Sequence, residues 1–351
     1  MKTGMEKNMQ RHELKPGLGA LRRGVLLAVL LALPAAASEA PPPKDFTGLR
    51  TQVTVFPDWF KTSFWNLNDD IDDALKAGKK GILIYASAET CSYCIAFLEQ
   101  SFGNPDIARR VQQQFDVYGL EVIGDTKITD VDGNTYHVKD FTRKYKAYVT
   151  PTLLFFGKDG KLLLNITGYY TPDKFRRVLD YFEGNHHQAT SWRAYQAQGE
   201  ATPGAVVRDR NLFPLNPAAM RRAGGAAKPL LVLFESPACA DCGELHGKTL
   251  KLPSTRALIR KYDAIQLDAS DGATSIVTPR GRKTTPKQWA TELELAYFPA
   301  FVFFDEQGAE VFRIDTLTRN ERLNGALELV LTKGYRDEPQ LQRWRNRKGA
   351  H

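Results

Sequence analysis

Cys91 and Cys239 stand 148 residues apart, and the same interval separates Cys94 from Cys242, Pro105 from Pro253, Pro151 from Pro299, Phe155 from Phe303, Phe156 from Phe304 and Gly160 from Gly308. Seven pairs held at one offset without a gap restrict the chain to two copies of one domain in tandem. Leu67-Asn68 precedes Leu215-Asn216 by the same interval, and an exit segment follows at one residue more, Ser191-Trp192 and Tyr195 facing Gln340-Leu341 and Trp344. The predicted domains are residues 60–198 and 211–347, joined by a linker over 199–210 rich in Gly, Pro and Ala, with a short tail at 348–351.

Each copy repeats one order of elements. A helical stretch (69–76; 217–222) precedes an apolar strand (82–85; 230–234), and then come a Cys-x-x-Cys pair and a helix, which in the first copy carries Phe97, Leu98 and Phe102. A second strand (117–123; 264–267) leads into a polar excursion with a turn (130–133; 278–281) and a further helix (138–145; 286–293). Two strands then form a hairpin, 152–156 with 161–166 and 301–304 with 310–314. The last helix of copy 1 begins at Thr171-Pro172, a capping residue before a proline whose fixed φ suits the first turn, and presents Phe175, Val178, Leu179 and Phe182 on one face. Such alternation makes each copy a small α/β domain, a central mixed sheet flanked by helices.

The N-terminus reads as an export signal. Arg22-Arg23 precede an apolar run from residue 25 to 33, followed by Pro34 and Ala35-Ala36-Ala37, the basic, apolar and small-residue order of a secretory signal peptide over residues 1–37. The run is far shorter than the roughly 20 residues a membrane-spanning helix needs. Residues 38–59, Pro-rich at their start, read as an extended linker, or leader segment, between the cleavage site and the first domain. Removing residues 1–37 takes away six basic and two acidic residues, lowering the net charge from +8 to +4. So mild a balance excludes nucleic acid as the expected partner.

All four cysteines lie in the two Cys-x-x-Cys pairs. Structural disulfides of an exported protein close long loops, which two four-residue spacings do not do. At a helix N-terminus the first cysteine of such a pair faces unpaired amides and the positive end of the helix dipole, which stabilise a thiolate. The second lies one turn in, within reach of the first. Cys91 and Cys239 are therefore the expected attacking thiols, with Cys94 and Cys242 resolving. A metal site needs about four ligands and each copy offers two local cysteines; His246 would add a third in copy 2, but Leu98 stands at its place in copy 1. No metal or cofactor is expected.

With strand, Cys-x-x-Cys, helix, and a later proline opening a strand (Thr150-Pro151; Phe298-Pro299), each copy resembles thioredoxin. The resemblance implies a tandem thioredoxin fold, cis prolines at Pro151 and Pro299 lying against the dithiols, and a bound substrate chain that pairs with the backbone at Thr150 and Phe298. A narrower similarity is to periplasmic thioredoxin-related proteins of bacterial sulfur oxidation. It rests on Val149-Thr150-Pro151-Thr152, Gly168-Tyr169-Tyr170-Thr171-Pro172 and the Asp-x-Asp-Gly turn in copy 1, and on Phe234-Glu235 and His246 in copy 2.

Three departures bear on the chemistry. Thioredoxins carry a buried carboxylate six residues before the first cysteine, where this chain has Tyr85 and Leu233, so Glu89 and Glu235 are the candidate proton acceptors. Asp241, between the cysteines of copy 2, is expected to raise the pKa of Cys239 and leave Cys91 the more acidic thiol. Phe298, where copy 1 has Thr150, adds bulk beside the second dithiol. The expected protein is a periplasmic thiol:disulfide oxidoreductase acting on disulfide-containing proteins or small thiols, with a membrane electron donor. Oxidase or isomerase activity, and a chaperone or soft-metal-binding module, are the alternatives.

Overall fold

The computed structural model describes residues 52–198, 206–222, 225–239 and 241–349. The expected signal peptide, most of the leader and residues 199–205 of the linker lie outside these. Among the described residues no helix is long and apolar enough to cross a membrane.

Copy 1 runs α1 (Leu67–Lys76), β1 (Gly81–Ser87), α2 (Ser92–Phe97), a π-helical turn (Leu98–Phe102), α3 (Pro105–Gln114), β2 (Phe115–Glu121), β3 (Lys127–Thr129), β4 (Thr135–His137), α4 (Val138–Lys144), β5 (Thr152–Gly157), β6 (Leu162–Thr167), α5 (Pro172–Glu183) and α6 (Trp192–Ala197). Its four-stranded sheet has the order β2-β1-β5-β6, with β1 parallel to β2 and antiparallel to β5. β1 is buried along its whole length because both faces of the sheet are covered, which explains its unbroken apolar run. Leu83 and Tyr85 face the core shared with α2, α3 and α5, while Ile82 and Ile84 face the core under α1 and α4. The Thr171 hydroxyl caps α5, accepting from the Lys174 amide at 3.5 Å, and Phe175, Val178, Leu179 and Phe182 are buried as their spacing predicts.

Copy 2 runs β7 (Leu230–Glu235), α7 (Cys242–Gly247), α8 (Pro253–Ile259), β8 (Asp263–Asp268), β9 (Ile276–Val277), β10 (Lys283–Thr284), α9 (Pro286–Glu292), β11 (Ala300–Phe304), β12 (Glu310–Ile314), α10 (Asn320–Leu331) and α11 (Leu341–Gly349). Its sheet, β12-β11-β7-β8, repeats the first. The fold expectation therefore holds: two mixed sheets, each flanked by helices. The offset of 148 is written into the backbone as well. Cis peptides occur at Thr150-Pro151 and Phe298-Pro299, and left-handed residues pair as Lys146 with Glu294, Asn185 with Lys333, Gly133 with Gly281 and Gly160 with Gly308.

Three local features differ from the sequence reading. The helix expected over 217–222 is only a 3₁₀ turn, Pro217–Ala219, capped by Asn216, because the Arg222 amide donates to the Pro279 carbonyl at 2.8 Å and not back along the segment. α3 and α8 were not foreseen; each opens at the repeated proline, and Asn104 caps α3 by accepting from the Asp106 and Ile107 amides. The polar excursions also build two small ribbons, β3–β4 and β9–β10, around the expected turns.

The copies face each other about a pseudo-two-fold axis, because their contacts recur with the roles exchanged. Tyr148 enters the core of copy 2, stacked on Phe312 at 5.1 Å, while its counterpart Ala296 enters the core of copy 1. Gly168 and its counterpart Thr316 touch each other: a Cβ on Gly168, at φ +89°, would lie 2.5 Å from the Thr316 methyl. Arg193 of α6 donates to the Ala269 carbonyl just beyond β8. In return Arg343 of α11 donates to the Val122, Ile123 and Gly124 carbonyls just beyond β2, at 2.9, 2.6 and 2.6 Å. A homodimer with a self-complementary face has this pattern; here one chain supplies both halves.

Candidate active site

In copy 1, Cys91 caps α2 through its sulfur. The Cys94 amide donates to Cys91 Sγ at 3.2 Å, and the Thr150 hydroxyl donates to the same sulfur, also at 3.2 Å. Cys91 and Cys94 form a disulfide with Cα atoms 5.2 Å apart; Cys91 is 6% exposed and Cys94 fully buried. Under the helix, where a thioredoxin carboxylate is expected, Tyr85 donates from its hydroxyl to the Cys94 carbonyl at 2.9 Å. Complete burial pushes the Tyr85 phenol well above its ordinary pKa, so this hydroxyl holds the helix and keeps its proton. Glu89, the candidate acceptor of copy 1, is exposed in the loop before Cys91. Thr150 is buried beside the dithiol and precedes cis-Pro151.

Copy 2 is built differently at the same place. Cys239 and Cys242 form a disulfide with Cα atoms 5.4 Å apart, and both are half-buried. α7 begins at Cys242, and the Cys242 amide bonds to the Cys239 carbonyl at 3.3 Å where copy 1 has an amide-to-sulfur bond. The sequence reading placed both first cysteines at helix N-termini; the amide-to-sulfur cap is present at Cys91 and is replaced at Cys239. Glu235, the last residue of β7, is 1% exposed and accepts from His246 Nε2 at 2.9 Å and from the Gln266 amide. It lies on the face of Leu231 and Leu233, toward α7, two residues along from the position of the thioredoxin carboxylate. His246 also lines a cavity of about 700 Å³ with Arg208, Asp209, Leu250, Lys251 and Arg256, so it joins the buried carboxylate to the surface. Phe298 is half-buried before cis-Pro299, and the Arg193 guanidinium from copy 1 covers its ring at 4.8 Å.

Two cations that sequence reasoning missed cross the axis onto the dithiols. Lys174 of α5 reaches Asp241, between the copy 2 cysteines, at 2.8 Å, and the Tyr297 hydroxyl donates to the same carboxylate oxygen at 2.9 Å. Arg322 of α10 lies over Tyr93, between the copy 1 cysteines, at 4.1 Å from the ring centroid. Arg322 is the counterpart of Lys174, and Tyr93 of Asp241, at the offset of 148. Each copy thus binds the middle of the other's Cys-x-x-Cys with the third residue of the helix that follows its hairpin, α5 or α10. The Lys174 contact corrects the expectation for Asp241, whose charge is matched by a partner and does not act on Cys239 unopposed. Arg322 also donates to the Thr150 carbonyl at 2.6 Å. It is 5% exposed, burial holds its pKa below the usual guanidinium value, and no carboxylate pairs with it among the described residues. A basic residue repeated at the third position of α5 and α10 was the available signal. Among the described residues no group of three or more His, Cys, Asp or Glu is placed to hold a metal.

The sequence matches the thioredoxin-like domain family twice, over residues 67–183 and 217–331. No curated protein matches it at a significant level. Similar solved structures include a thioredoxin-fold protein from Helicobacter pylori, 15% identical over 40% of this chain and 89% of that one, with a TM-score of 0.34. A thioredoxin from Thermus thermophilus is 21% identical over 34% of this chain and 84% of its own, with a TM-score of 0.27. The C-terminal domain of Neisseria meningitidis DsbD in the oxidised form is 17% identical over 29% and 78%, with a TM-score of 0.23. The two family matches cover well over half of the chain, one on each copy, and the protein belongs to the thioredoxin-like domain family.

Proposed function

We propose that the protein is an exported thiol:disulfide oxidoreductase that reduces protein or small-molecule disulfides through Cys91–Cys94 and Cys239–Cys242. One observation carries the reading: the Cys94 amide and the Thr150 hydroxyl both direct a hydrogen at Cys91 Sγ, the arrangement that stabilises a thiolate there once the disulfide is opened. That thiolate attacks a substrate disulfide, forming a mixed disulfide and releasing one substrate thiol. Cys94 then attacks Cys91, releases the second thiol and restores the internal disulfide, so two electrons pass to the substrate. Thr150-Pro151 and Phe298-Pro299 flank the path of the incoming sulfur. In copy 2, buried Glu235 accepts the proton of the resolving thiol and His246 connects it to the surface. The exposed Glu89 is the weaker acceptor of the two. The periplasmic setting, the reductive direction and a membrane electron donor rest on the N-terminal segment and the sulfur-oxidation resemblance.

The test is insulin reduction by the full chain with dithiothreitol as electron donor. The double variant C91S and C239S is expected to lose turnover, and C94A with C242A to accumulate mixed disulfides with its substrates. Turnover that survives C91S with C239S overturns the assignment.

A further inference from the structure

The reciprocal clasp of the two copies is unequal in one respect. Lys174 ends on the Asp241 side chain, and among the described residues no donor reaches the Phe298 carbonyl. Its counterpart Arg322 ends on backbone, at the Thr150 carbonyl 2.6 Å away, while its plane covers Tyr93. Thr150 is fully buried and its hydroxyl touches Cys91 Sγ. Because the Thr150 hydroxyl touches Cys91 Sγ, an extended chain bringing a disulfide to that sulfur passes beside Thr150, as the thioredoxin resemblance implies, and a chain leaving water there needs acceptors for its own N–H groups. The carbonyl in that position already accepts from a buried guanidinium, whose bulk stands where the incoming chain would lie. The exposures agree: Cys91 is 6% exposed, whereas Cys239 and Cys242 are both half-buried.

We propose that Arg322 is a specificity-determining residue supplied by copy 2 to the dithiol of copy 1, closing Cys91 to extended polypeptides and leaving it to small disulfides, while Cys239 is the sulfur that takes polypeptide disulfides. The assignment rests on the oxidoreductase reading and divides its two substrate classes between the copies. Removing Arg322 leaves the Thr150 carbonyl free and uncovers Tyr93, which gives an extended chain the backbone partner it lacks. The same change does little for a molecule too short to need that partner.

Single-turnover exchange on the full chain tests this. The C239S/C242S variant keeps only the first dithiol and C91S/C94S only the second; each is reduced, freed of reductant and mixed with insulin or with bis(2-hydroxyethyl) disulfide. In each reaction one protein disulfide forms, one substrate disulfide breaks and two substrate thiols are left, so no other reductant takes part. The readout is the ratio of the insulin rate to the small-disulfide rate, compared between proteins whose urea midpoints match, because a loosened fold would also uncover Cys91. We expect this ratio to be at least tenfold higher for the second dithiol than for the first. R322M in the first-dithiol protein is expected to raise its ratio at least fivefold, and R322K, which keeps one donor for the carbonyl, to raise it less. Equal ratios for the two dithiols, or a ratio unmoved by R322M, overturn the assignment with the oxidoreductase reading intact. Reaction of neither dithiol with either disulfide overturns both.

Discussion

The Lys174 ammonium lies 2.8 Å from the Asp241 carboxylate, so the charge set between the copy 2 cysteines is balanced by a side chain from copy 1. K174M leaves the carboxylate unbalanced and is expected to disfavour the Cys239 thiolate, slowing alkylation of Cys239 in the reduced protein about threefold at mildly acidic pH. The effect is modest because Lys174 is about one-third exposed and exposed pairs are worth roughly 0.2–1 kcal/mol. D241N added to K174M restores the rate. Equal Cys239 alkylation rates in wild type and K174M would show that Asp241 does not act on the thiol.

Cys91 depends on a neutral donor. The Thr150 hydroxyl points at its sulfur from 3.2 Å, and both residues are buried. A hydrogen bond to a charged group contributes roughly 1.5–3 kcal/mol, and about 1.4 kcal/mol is a tenfold change in ionisation. T150V, nearly equal in shape, is therefore expected to lower Cys91 alkylation below its pKa about tenfold, and T150S to keep it near wild type. Comparing the pH–rate curves of the three proteins settles whether the hydroxyl or merely the bulk at this position matters.

The parts of this fold that are local or repeated were readable, and those that depend on two copies meeting were not. β1 and β7 announce themselves because strands covered on both faces need unbroken apolar runs, as in Leu230, Leu231, Val232 and Leu233. The 148-residue offset did the rest for the hairpins, and the thioredoxin resemblance implied the cis prolines. β9, two residues long, carries no periodicity, and α3 buries so few apolar side chains, Ile107 and Val111, that only its Asn104-Pro105 cap marks it. Tyr148 and Arg322 fail for another reason. An aromatic near a strand fits its own core and an arginine in a first turn fits solvent equally well, so nothing local says that each crosses to the other copy. Glu235 was found as a carboxylate near the dithiol, but its bond to His246 joins a strand to a helix and needed the packing to be seen.

The clasp should also govern stability. Arg343 donates to three carbonyls of copy 1 and to Glu338, which is 1% exposed. Removing one member of a buried pair strands the other charge. R343M is expected to cost about 2–4 kcal/mol in urea unfolding, somewhat below the full penalty because Arg347 also reaches Glu338 at 3.4 Å. E338Q placed on R343M should recover part of the loss, since no bare carboxylate then remains. A double variant as unstable as the single one would locate the cost in the carbonyl contacts alone.

Asp315 gives the interface a pH dependence with a defined sign. Its carboxylate accepts from the Ala296 amide at 3.3 Å in the segment where copy 2 meets copy 1, and burial raises its pKa above the ordinary value of 3.8, with Arg313 opposing the shift. The folded protein therefore holds this proton more tightly than the unfolded chain. Its contribution to stability is fully present below pH 3.8 and is lost as pH rises through the folded-state pKa, because ionising the buried group then costs folding free energy. D315N keeps an acceptor for the Ala296 amide and cannot ionise. It is expected to have a higher urea midpoint than wild type near pH 7, with the difference shrinking as the pH falls toward 4. A difference that stays constant over this range would mean that Asp315 is held charged by Arg313 in the folded state, and the interface would then owe its pH dependence to other groups.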